Sequence, residues 1–85
     1  MTDQKIIDTI WTLLDARSAS ASICPSDVAR ALASDEGAWR ALMPEIRRVA
    51  AGLAADGLLR ATRGAHTVDA QSAGGPIRLR RPKHG

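Results

Sequence analysis

At 85 residues, with 45% hydrophobic and 25% charged side chains, the chain has room for one domain built on one modest core. It holds no apolar run near the length of a membrane-spanning helix, and its opening MTDQK lacks the basic-then-apolar layout of a secretory leader, so a cytoplasmic, bacterial-type protein with no membrane partner is expected. A single cysteine, Cys24, excludes an internal disulfide, and with His66 and His84 it falls short of a comfortable metal set, so no metal or other cofactor is expected.

The formal net charge of +3 is unevenly spread. Residues 1–57 hold six Lys/Arg against eight Asp/Glu, a net −2, while residues 58–85 hold six against Asp69 alone, a net +5. A basic C-terminal third favours an anionic partner; equally, it suits a solvated tail that keeps a small protein soluble.

In chain order, residues 3–16 place Ile6, Ile7, Ile10, Trp11, Leu13 and Leu14 in one wide apolar stripe, which predicts an amphipathic helix. Thr2 or Asp3 can cap its start, and Trp11 is expected in the core. RSASAS (17–22) is a small-residue loop. Ser22, Ile23 and Cys24 should be extended, because a residue before proline is pushed out of helical geometry, and this segment can pair with a later hairpin. Pro25, Ser26 and Asp27 then open a helix over 25–33, with Val28, Ala29 and Leu32 on one side.

Residues 34–37 read as a turn, and residues 38–56 as a long helix burying Trp39, Leu42, Met43, Ile46, Val49, Ala50 and Leu53. The opposite arc holds Arg40, Pro44, Arg47, Arg48, Ala51 and Ala55. Pro44 cannot bond back to residue 40, so a kink or a fresh helix start is expected there, with Glu45 suited to a new N-terminus. Gly57 is a suitable C-terminal cap. Beyond it the period shortens: residues 58–62 alternate weakly, Arg63-Gly64 marks a turn, and 67–69 extend briefly. Residues 70–76 read as a flexible loop, and 77–80 as a half-buried strand with Ile77 and Leu79 inward. Residues 81–85 are expected to be a disordered basic tail after a single domain over 1–80.

The order helix, short strand, helix, helix, strand, wing, strand is that of a winged helix-turn-helix: mainly α, three helices and a small antiparallel β-sheet with a wing. The blocks ICPSDVARAL, WRALMPEIR, and RG followed by VD and GPIRLR resemble a small bacterial winged-helix family, a domain of unknown function. The resemblance spans residues 6–80. It implies the fold and, provisionally, nucleic-acid binding, without an established activity.

In winged helices the second helix of the helix-turn-helix enters the major groove and the wing reaches phosphates or the minor groove. The groove-facing candidates here are Arg40, Arg47 and Arg48; the wing supplies Arg60, Arg63, His66, Arg78 and Arg80, with double-stranded DNA as the favoured partner. The exposed arc of the long helix has no Asn, Gln, Ser or Thr to read base edges, which points to phosphate-led, salt-dependent binding in an accessory or regulatory module. The rival reading makes the strip of Ala51 and Ala55 a docking face for a protein partner or a second copy. Cys24, at a helix start, is either an activated thiol or a small residue closing the core. His66 suits a solvated loop or a phosphate contact. Lacking Phe and Tyr, the chain offers little stacking platform for single strands or RNA. No Ser/His/Asp set, phosphate loop or carboxylate pair suggests an enzyme.

Overall fold

The computed structural model describes residues 2–72 and 74–82. Helix α1 (Asp3–Asp15) begins at Thr2, whose side chain accepts from the Lys5 backbone N–H, and buries Ile6, Ile10 and Leu14, one residue per turn. After the small-residue loop comes strand β1 (Ser22–Ile23), then helix α2 (Pro25–Leu32), which has proline in its first turn. Asp27 reaches back to accept from the Cys24 backbone N–H at 2.8 Å, so the carboxylate satisfies a donor that the helix leaves open.

Helix α3 (Glu36–Ala55) starts at Asp35, which accepts from Ala38 N–H, two residues earlier than the sequence predicts. It runs unbroken through Pro44, so the expected kink or fresh start is corrected to one continuous helix. Pro44 and Arg40 both lie on the exposed side. The Arg40 carbonyl deprived of its partner therefore faces solvent, where water can replace the lost bond. Gly57, at φ 75°, ends the helix: its N–H donates to the Ala54 carbonyl and that of Leu58 to the Leu53 carbonyl, the double closure of a Schellman motif.

Strands β2 (Arg60–Arg63), β3 (His66–Thr67) and β4 (Arg78–Arg80) complete an antiparallel sheet in the order β1-β4-β2-β3. Gly64, at φ 60°, turns β2 into β3 through a two-residue loop, a conformation that a side chain would strain. Ile23, Ala61 and Leu79 share one face of the sheet and are buried against Ile6, Ile10, Val28, Ile46 and Ala50. This is the three-helix, small-sheet architecture of a winged helix-turn-helix, and no helix among the described residues is long and apolar enough to cross a membrane.

Three further expectations change. Trp11 and Trp39 are half-buried at the core's margin. Arginines flank both: Arg81 stands 6.0 Å from the Trp11 ring centre, and Arg30 and Arg40 stand 4.8 and 5.4 Å from that of Trp39. The start of the predicted 70–76 loop is anchored, because Ala70 is fully buried and Asp69 accepts from Gln71 N–H at 2.8 Å, while residue 73 lies outside the described residues. Arg81, assigned by sequence to the tail, pairs with Asp15 of α1, while Lys83, His84 and Gly85 lie outside the described residues.

Candidate nucleic-acid interface

The arginines named from sequence fall into three groups once their forks are followed. On α3, Arg40 pairs with Glu36 one turn earlier, at 3.1 Å. Arg48 points to the start of α1, where it donates two hydrogen bonds to Asp3, at 2.8 and 3.2 Å. That hydrogen bonding holds the Asp3 carboxyl below its ordinary pKa and raises that of Arg48. Arg47 alone of the three has no ion pair among the described residues. It is half-buried in a surface recess with Met43, Pro44 and Gln71.

In the wing, Arg63 donates to the Ser72 carbonyl and hydroxyl at 3.5 Å and to the Gly75 carbonyl at 3.2 Å, so its fork ties the loop to β2. Arg78 donates to the Ser22 hydroxyl at 2.8 Å, the Ser22 carbonyl at 3.0 Å and Cys24 Sγ at 2.7 Å. It therefore fastens β4 to the edge strand and to the start of α2. Cys24 is half-buried, closed off by this contact. Both were expected from sequence as phosphate anchors: Arg78 spends every donor nitrogen inside the fold, while Arg63 spends one Nη on the loop and its Nε is buried with no hydrogen-bond partner among the described residues.

The remaining pair is Arg60 and Arg80. Register places them directly opposite each other on β2 and β4, with Thr62 opposite Arg78. Because Ala61 and Leu79 face the core, these four residues lie on the other side of the sheet. Thr62 is nevertheless only 4% exposed. Its Oγ1 and the Nε atoms of Arg60 and Arg80 are buried with no hydrogen-bond partner among the described residues. The eleven strand residues include four arginines and no acid. His66 is exposed at the end of the β2–β3 hairpin, opposite Arg63.

The sequence reading missed two features. Arg30 reaches Trp39 from α2, a contact with no local signature because it joins two elements. Thr62 was read only as part of a weakly alternating run, although strand parity alone puts it on the same face as Arg60.

One family model matches this chain. The chain belongs to the DUF3253 family. The match, described as a protein of unknown function, covers residues 3–82, nearly the whole chain. A search among curated proteins gave no match. Membership in the family leaves the activity open.

Proposed function

We propose that this domain is a binding module, without catalysis of its own, that holds double-stranded DNA chiefly through phosphates. The observation that carries this reading is the charge of the sheet: four arginines and no acid on the strands of a winged helix. The long helix is a weaker contributor than its sequence suggested. Arg40 and Arg48 are held by Glu36 and Asp3, which leaves Arg47 as the available cation on α3. A domain so equipped discriminates little between sequences, since phosphate contacts position a protein without reading bases. Fluorescence anisotropy of a labelled random-sequence duplex tests it: saturable binding at low salt supports the reading, and a flat titration rejects it.

A second reading keeps one observation of its own. Ala51, Ala54, Ala55, Asp69 and Ala70 line a shallow groove beside α3. Ala51 is half-buried against the core, so the exposed Ala55 is the cleaner probe of this face. If the groove receives a second copy, Ala55→Glu should abolish a concentration-dependent rise in mass by sedimentation while leaving the monomer folded. Mass that stays monomeric in the wild type, or association that survives the substitution, excludes this interface.

A further inference from the structure

The side of the sheet turned away from the core carries three arginines with different roles. Arg78 is fully engaged by Ser22 and Cys24 and serves as framework. Arg60 and Arg80 confront each other across the ladder, and no strand supplies an acid between them. Like charges directly opposite one another weaken a sheet, so the pair works against the stability of the free protein. Neither side chain makes a hydrogen bond or ion pair to a described residue, so both forks can turn onto a ligand.

The same face gathers three of the four buried polar side-chain atoms that have no partner among the described residues: Arg60 Nε, Arg80 Nε and Thr62 Oγ1. Native proteins leave few such atoms, and a cluster of them calls for a physical reason. All three can donate. Arg60 and Arg80 are directly opposed, and Thr62 lies two residues along β2 on the same face. An oxyanion seated between the two forks, once they turn outward, can accept from them and cancel the repulsion between the two guanidinium groups. The Nε–H and one Nη–H of an arginine form a parallel pair matched to two oxygens of a phosphate, and a threonine hydroxyl adds a third donor from below.

We propose that Arg60, Arg80 and Thr62 form a phosphate-gripping site on the outer face of the sheet, and that a backbone phosphate of duplex DNA occupies it. This rests on the DNA-binding reading and sharpens it, because the duplex is then held on the sheet, with Arg47 the lesser contact.

The test follows the side-chain Nε–Hε signals of the arginines by NMR while a short duplex is added to the wild-type protein. The signals of Arg60 and Arg80 are expected to move and those of Arg63 and Arg78 to stay. In parallel, the double variant Arg60→Gln/Arg80→Gln is expected to bind the duplex roughly ten- to sixty-fold more weakly at about 0.1 M salt, with the log–log salt slope reduced by about one, for the one phosphate lost. Its melting temperature should equal or exceed that of the wild type, since the repulsion is gone. If the duplex binds and only the Arg47 signal moves, or the double variant keeps its affinity, the sheet site is wrong and the DNA reading stands. If no signal moves and anisotropy stays flat at low salt, both fall.

Discussion

Asp3 and Arg48 are separated by 45 positions in the chain, yet their side chains close the start of α1 onto the middle of α3 with two hydrogen bonds. Both groups are exposed, so the pair is expected to add little at physiological salt. Its signature is its pH dependence. Arg48 holds the Asp3 carboxyl below its ordinary pKa of 3.8. A carboxylate with a depressed folded-state pKa stabilises the fold above the unfolded value and loses that contribution as pH falls through the folded one. Asp3→Asn should therefore lower the urea midpoint slightly at neutral pH, and the deficit should vanish once the pH falls below the range in which Asp3 titrates. A deficit of constant size across that range would show that the substitution acts through α1 capping instead. The same pair explains why Arg48 is a poor guide to function from sequence: helical periodicity says that it is exposed, and only the packing of α1 beside α3 says that it is occupied.

Among the elements, α3 shows most clearly what pattern can and cannot supply. Its buried arc follows from spacing alone: Ile46, Val49, Ala50 and Leu53 are buried, with Trp39, Leu42 and Met43 packed partly against them. Continuity through Pro44 does not follow, because it depends on the proline lying on the solvent side, where the orphaned carbonyl is hydrated. Restoring the missing N–H with Pro44→Ala should stabilise the protein by roughly 1 to 3 kcal/mol, measured as a rise in the urea midpoint with an unchanged slope. A loss of stability would mean that the rigid proline contributes more through the unfolded chain than its missing bond costs. The sheet was legible as a short first segment over 22–24, a brief extension at 67–69 and strands near 58–62 and 77–80; β3 lies one residue earlier than that extension, at His66–Thr67, because two residues carry almost no period to fix their bounds. The site was legible as a list of arginines. Which of them are free was not, since Arg63 and Arg78 are spent on a loop carbonyl and an edge strand that only the folded chain brings near.

For the molecule as a whole, a small core joins a sheet whose two faces serve opposite purposes. The inner face is apolar and anchors the strands through Leu79, which is fully buried and opposed by Ile23 and Ala61. Truncation there opens a cavity at the junction of the sheet and the helices. Leu79→Ala should cost about 2 to 5 kcal/mol, a large part of the roughly 5 to 15 kcal/mol that holds a domain together. Thermal melts check this, and a loss well under 1 kcal/mol would mean that the strand is dispensable to the core. The outer face is cationic and carries the proposed function. If Arg47 neutralises one phosphate and Arg60 with Arg80 a second, log affinity should fall with log salt at a slope of about −1.5 to −2, a loss of roughly 8- to 16-fold between about 50 and 200 mM. The deciding measurement is that slope, taken from anisotropy titrations of a random-sequence duplex with the wild-type protein over this salt range. A slope in the stated interval supports phosphate binding by the basic face. Absence of binding at the lowest salt, or affinity indifferent to salt, contradicts it.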